Sequence, residues 1–143
     1  MRALILVDIQ NDFMESGALP VPDGESVVAV ANALAPRFSL VVATQDWHPA
    51  GHGSFASAHP GMAPGDVTMV GGVEQVLWPD HCVQGTPGAS FHSALDVAAI
   101  DHVARKGTDR EIDSYSAFYD NGHLKDTGLA EYLRMRGVAE LVI

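Results

Sequence analysis

Apolar residues along the chain occur in two ways, as short unbroken runs and as stretches repeating every three or four positions. Residues 3–7 (Ala-Leu-Ile-Leu-Val) form an unbroken run rich in β-formers that stops at Asp8, the pattern of a strand buried on both faces. Pro20, Pro22 and Gly24 then punctuate a loop. Asp23 is placed to cap a helix over Ser26–Leu34, which Pro36 ends. Residues 40–44 repeat the buried-strand pattern and lead into Asp46. His102–Lys106 is a third strand candidate, closed by Gly107. Asp126 or Thr127 is expected to cap a helix over residues 129–136, where Leu129, Tyr132 and Leu133 share a face and Gly137 takes the C-terminal cap. Residues 140–143 begin a fourth strand. Between Trp47 and about Gln75, six glycines and three prolines leave no clear period, and this stretch reads as one long loop. Strand, helix, strand, long excursion, strand, helix, strand predicts an α/β fold on a parallel sheet, as one domain over residues 1–143.

Charge narrows the partners. Eight Lys+Arg against eighteen Asp+Glu give a net charge of −10, which leaves no basic surface for a nucleic-acid backbone or an anionic membrane. No stretch approaches the roughly 20 apolar residues of a membrane span, and the first run is too short for a secretory core. A single cysteine excludes an internal disulfide framework and a multi-cysteine zinc ribbon, and suits a reducing cytoplasm.

Candidate chemistry collects at strand ends. Ligands of open parallel sheets bind beyond the carboxyl ends of the strands, and the first three strands end in Asp8, Asp46 and Lys106. An Asp and a Lys facing each other there form a pair able to activate a nucleophile. Asp46 and His48, two apart in an extended segment, point the same way and can meet one ion, with His52, His59 or His81 as a third ligand. Carboxylate plus imidazole suits zinc, iron or manganese. Phe13, Trp47 and Trp78 can wall a pocket for a flat apolar ligand, with core packing as their ordinary role. Cys82 adjoins His81, but neighbours in an extended segment point oppositely, so it reads as a small buried core residue. Phosphate-loop and dinucleotide glycine patterns are absent.

Taken together, several segments resemble the nicotinamidase/pyrazinamidase family of the isochorismatase-like cysteine hydrolases. They are Ala3-Leu-Ile-Leu-Val-Asp-Ile-Gln-Asn-Asp-Phe13, Thr44-Gln-Asp-Trp-His-Pro49, His52-Gly-Ser-Phe-Ala56, Trp78-Pro-Asp-His-Cys-Val83, Gly85-Thr-Pro-Gly-Ala89, Lys106-Gly107 and Asp113-Ser-Tyr-Ser-Ala-Phe118, in the family order. The resemblance implies a Rossmann-like three-layer sandwich. It matches Asp8 to the catalytic aspartate that takes a thiol proton, and Lys106 to the catalytic lysine. It matches Asp46, His48 and His81 to the ligands of one divalent metal ion, with His52 matching a histidine that ligates in some members only. Phe13 and Trp78 match aromatic residues that sandwich the substrate ring. The implied reaction is hydrolysis of nicotinamide to nicotinate and ammonia through a cysteine thioester, a step of NAD salvage, with pyrazinamide a plausible second substrate by shape.

The family's nucleophilic cysteine lies in a G-x-A-T-D-x-C-V segment just after the strand that residues 141–143 match. The resemblance therefore implies a C-terminally incomplete domain, a chain inactive as an amidase, and a Cys82 that is not the nucleophile. Two other readings remain open from sequence: another hydrolase of the wider superfamily, and a non-catalytic metal- or ligand-binding module.

Overall fold

In the computed structural model, which describes residues 1–143, the first apolar run becomes one of the two interior strands of a four-stranded parallel sheet. The strands are β1 (Arg2–Leu6), β2 (Val41–Asp46), β3 (Val67–Val70), β4 (Val73–Val76), β5 (His102–Lys106) and β6 (Glu140–Val142), and the helices are α1 (Ser26–Leu34) and α2 (Leu129–Met135). The main sheet runs β5-β2-β1-β6, with every neighbouring pair parallel. The unbroken hydrophobicity of the first two strands follows, because residues of both strand faces must be apolar. All of β2 and most of β1 are buried.

Alternate residues feed two cores. Leu4, Leu6, Val41 and Ala43 pack with Val28, Ala31 and Ala35 from the α1 side. Ala3, Ile5, Val42 and Ala104 pack with Leu129 and Leu133 of α2 on the opposite face. Helix, sheet and helix make the three-layer α/β sandwich. Each fully buried leucine contributes roughly 1.5–3 kcal/mol, so two separate clusters of this kind fix which face each helix covers. No helix is long and apolar enough to cross a membrane.

The structure differs from the sequence reading in three places. The long stretch after Trp47 is not one loop, since β3 and β4 form an antiparallel hairpin within it. Gly71 and Gly72 join the strands with φ of 60° and 80°, the two consecutive left-handed positions of a type I′ turn. Val67-Thr-Met-Val-Gly-Gly-Val-Glu-Gln-Val76 carries that signal locally, and the surrounding glycines and prolines masked it. Asp23 also does not cap α1. The helix starts after Glu25 with no side-chain cap, and Asp23 instead holds a left-handed turn at φ 57°. At α2 the N-cap is Gly128, at φ 79° and without a side-chain cap, rather than Asp126 or Thr127, whose side-chain oxygens accept from the amides of Gly128 and Leu129 at the helix start.

Candidate metal and ring-binding site

Strand register brings the three predicted charges together. Asp46 and Lys106 are register partners at the carboxyl ends of β2 and β5, so their side chains leave the sheet side by side. The chain turns at Asp8 just beyond β1, where strand order reverses. Asp8 adopts φ 49°, a strained conformation for a non-glycine residue that aims its carboxylate back over the strand ends. There the Thr44 hydroxyl donates to Asp8 Oδ1 at 2.6 Å and Lys106 Nζ donates to Asp8 Oδ2 at 2.9 Å. Lys106 also pairs with Asp46. One buried ammonium thus bridges two carboxylates. Burial disfavours its charge, but Asp46 and Asp8 outweigh burial and raise Lys106 above its usual value.

The imidazoles converge on the other oxygen of Asp46. His48 Nδ1 lies 2.8 Å from the Gly107 carbonyl and His81 Nδ1 lies 2.7 Å from the Pro79 carbonyl. A carbonyl only accepts, so both rings carry their proton on Nδ1 and present a lone pair on Nε2. Those two Nε2 atoms stand 3.5 and 3.7 Å from Asp46 Oδ2. The ligand atoms of Asp46, His48 and His81 all lie within 4.8 Å of one another, and all three residues are buried. Three acceptors therefore face one small space with no donor among them. His48 Nε2 has no hydrogen-bond partner, so the trio fits a bound cation. The electrostatics point the same way. Burial favours the neutral acid, yet the neighbouring His48 and His81 rings and the charge of Lys106 hold Asp46 well below the usual carboxylate range. Burial favours neutral His48, yet Asp46 raises it.

Local structure fixes each ligand. Gln10, fully buried, clamps the end of β2 by accepting from the Asp46 amide and donating to the Asp46 carbonyl, both at 2.8 Å. The His48 amide donates to the Cys82 carbonyl and the Gln84 amide donates to the His48 carbonyl, which stitches the His48 and His81 segments together. Asp12 accepts from the Cys82 amide at 2.7 Å and holds the turn, where Cys82 takes φ 46°. Phe55, fully buried, lies 5.4–5.6 Å by ring centroid from His48, His52 and His81 and forms their apolar floor. None of Gln10, Asp12 and Phe55 received a role from sequence, although Asp8, Gln10 and Asp12 alternate with period two.

Gly107 is demanded by this geometry. Its φ is 62°, and a Cβ there would lie 2.3 Å from His48 Cε1. Gly107→Ala is expected to cost at least about 1–2 kcal/mol from the left-handed backbone alone. It should also displace the His48 ring, so zinc affinity and melting temperature should fall together.

His52 lies next to the trio, its ring centroid 4.3 Å from that of His48. It groups with His48 and Asp113, and its Nδ1 accepts from the Ser54 amide at 3.2 Å. That bond places the ring proton on Nε2, which has no partner. Burial and the neighbouring His48 lower its pKa.

Beside the trio lies a cavity of about 230 Å³ lined by Asp8, Phe13, Leu19, Asp46, Trp78, His81, Lys106, Asp113, Ser114 and Tyr115. Phe13 and Trp78 are half-buried in its wall, with charged groups at its base. The Trp78 backbone is held by bonds to Ser54 and Ala56. Trp47 lies elsewhere, under the Arg105 guanidinium at 4.0 Å. Cys82 is fully buried and outside the cavity lining. Burial, with the charges of Asp46, Asp12 and Asp8, pushes its thiol far above the usual range.

Comparison with known proteins agrees with this geometry. The isochorismatase domain matches residues 2–143. The nicotinamidase of Escherichia coli (strain K12) is 50% identical over 146 residues, covering 99% of this chain and 68% of that protein. The solved Acinetobacter baumanii nicotinamidase/pyrazinamidase superposes with a TM-score of 0.94 at 45% identity, covering 98% of this chain and 68% of that one. The zinc complex of Pyrococcus horikoshii pyrazinamidase superposes with a TM-score of 0.73 at 38% identity, over 98% and 67% of the two chains. The chain thus spans about two thirds of the length of these relatives. With its parallel sheet, acid–lysine pair and matched length, the chain belongs to the isochorismatase-domain family of hydrolases, and the nicotinamidases named above are similar to it.

Proposed function

We propose that this chain carries the metal-binding and ring-binding parts of a nicotinamidase, which converts nicotinamide and water to nicotinate and ammonia. The carrying observation is the convergence of His48 Nε2, His81 Nε2 and Asp46 Oδ2, without a donor, at the edge of an aromatic-walled cavity. Asp46, His48 and His81 would hold a divalent ion, zinc, iron or manganese, with His52 outside that set. Such an ion supplies a coordination position for the pyridine nitrogen and so fixes the ring. Phe13 and Trp78 enclose the ring faces and exclude water. Asp8 is the general base: its carboxylate lines the cavity and is held by Thr44 and Lys106. Lys106 supplies positive charge that favours a thiolate and the developing oxyanion.

Cys82 is not the attacking thiol in this reading. It lies outside the cavity lining, its burial opposes the thiolate, and its neighbours are acidic. The sequence of 143 residues contains no other cysteine. The reading thus assigns binding to these residues and hydrolysis to the same site completed by a second thiol. NAD salvage in the cytoplasm is the setting this activity implies, and pyrazinamide, with one ring carbon replaced by nitrogen, fits the same anchor.

Calorimetric titration of the zinc-loaded chain tests the anchor. Nicotinamide is expected to bind at least about tenfold more tightly than benzamide, which lacks the ring nitrogen, because loss of one good polar contact costs about 1.4 kcal/mol or more. Ammonia release should stay at background. Equal binding of both amides, or turnover abolished by Cys82→Ala, would overturn the assignment.

A further inference from the structure

Behind the aromatic wall lies a hydrogen-bond relay that starts in the glycine-joined hairpin. Gln75 sits on β4 and is buried to 1% exposure, an unusual position for an amide unless every polar atom has work. Its Nε2 donates to the neighbouring Val76 carbonyl at 2.7 Å and to the Tyr115 hydroxyl at 2.8 Å. The carbonyl fixes the amide orientation, since only the NH₂ end can face it. The Tyr115 oxygen must then accept from Gln75. Trp78 Nε1, which can only donate, reaches the same oxygen at 3.2 Å. Tyr115 is itself tethered, its amide donating to Asn121 Oδ1 at 2.9 Å.

Two donors thus meet at one phenol oxygen, one from the hairpin and one from the wall of the cavity. Trp78 is half-buried, and no other hydrogen bond holds its indole. The rotation of the ring about its side-chain torsions therefore depends on where the Tyr115 hydroxyl stands. Tyr115 is 59% exposed whereas Gln75 is buried, so the amide of Gln75 is the fixed end of the chain. We propose that Gln75 is a positioning residue for the ring-binding wall: through the Tyr115 hydroxyl it sets the plane of the Trp78 indole. The hairpin, remote in sequence from the acid–lysine pair, thereby contributes to the shape of the cavity. The consequence for ligand binding rests on the ring-sandwich reading above, whereas the relay itself does not.

The two indole N–H signals of the ¹⁵N-labelled, zinc-loaded chain provide the test, with the Trp78 signal assigned by its loss in Trp78→Phe. Gln75→Leu removes the buried donor and keeps an apolar side chain of similar volume. Tyr115→Phe, at an exposed position, removes the shared oxygen without disturbing the core. Both variants are expected to move the Trp78 signal upfield and leave that of Trp47 in place. Adding Gln75→Leu to Tyr115→Phe should move it no further, because one relay carries both effects. Nicotinamide binding should weaken about threefold to tenfold in each single variant, the range for one lost hydrogen bond. An unmoved Trp78 signal in Tyr115→Phe, or in a Gln75→Leu protein with wild-type circular dichroism, overturns the relay. So do additive shifts in the double variant. If the wild-type chain fails to bind nicotinamide while the shared displacement is seen, the relay stands and the ring-sandwich reading falls.

Discussion

Replacing His48 by alanine is expected to lower zinc affinity by about 100-fold or more, beyond the roughly 10–100-fold that follows loss of an outer-shell partner. The expectation rests on where its two nitrogens go. Nδ1 is committed to the Gly107 carbonyl, and Nε2 has no protein donor to meet, so its lone pair is available to an ion. His81→Ala should have an effect of the same order, since its ring is fixed in the same way by the Pro79 carbonyl. His52→Ala should lower affinity by less than about tenfold, because the Ser54 amide occupies its Nδ1 lone pair, which leaves a proton rather than a lone pair on Nε2. Chelator-competition titrations of the three variants give the order. Equal losses for His52→Ala and His48→Ala would place His52 among the ligands and remove the argument from ring protonation.

The ligand geometry depends on backbone features that carry no charge. His48 can approach Gly107 only because the glycine has no side chain, and His81 follows a segment pinned at Cys82 by Asp12. Gln10 closes the end of β2 as a neighbouring strand would, by taking both an amide and a carbonyl of Asp46. Rigid anchoring of this kind holds ligand atoms in place before an ion arrives.

How much of this was legible in the sequence differs by layer. The parallel sheet was, because residues 3–7 and 40–44 are apolar on both faces and the helices between strands carry an apolar stripe. The meeting of Asp8, Asp46 and Lys106 followed from their common place at strand ends. Register was not legible: nothing local says that Asp46 stands opposite Lys106 rather than one residue away, and that pairing decides which carboxylate the ammonium neutralises. The hairpin was missed because its two-residue glycine turn sits among four other glycines, so composition drowned the alternation. Gln75 and Tyr115 lie 40 positions apart and meet only through tertiary packing. The histidine roles are a middle case. D-x-H states the chemistry, while ring protonation is set by the carbonyls of Gly107 and Pro79, which no side-chain pattern reveals.

Lys106→Met should have opposite effects on fold stability and zinc binding. In chelator, the variant leaves Asp8 and Asp46 facing one another in a buried site without their shared cation, and loss of one partner from a buried ion pair typically costs about 3–5 kcal/mol. The sign of its pH dependence follows from Asp46. In the wild type this carboxyl is held below its ordinary value, so its contribution to stability is fully present above about pH 4 and is lost as pH falls through the depressed folded value. In the variant, burial acts on Asp46 without the compensating ammonium, so its protonation becomes easier than in the wild type. The stability gap between the two proteins should therefore be widest near neutrality and narrow toward pH 4. Zinc binding should move the other way from His48→Ala. Lys106 repels a divalent ion held by the same Asp46 carboxylate, and at an effective dielectric of about 20 two unit charges about 4 Å apart interact by roughly 4 kcal/mol. Removing that repulsion should raise zinc affinity by about tenfold or more, and saturating zinc should recover part of the lost stability. Urea unfolding in chelator and in zinc, at neutral and acid pH, separates these terms. A variant that loses zinc as His48→Ala does, or one as stable as wild type in chelator, would show that Lys106 does not hold the two carboxylates together.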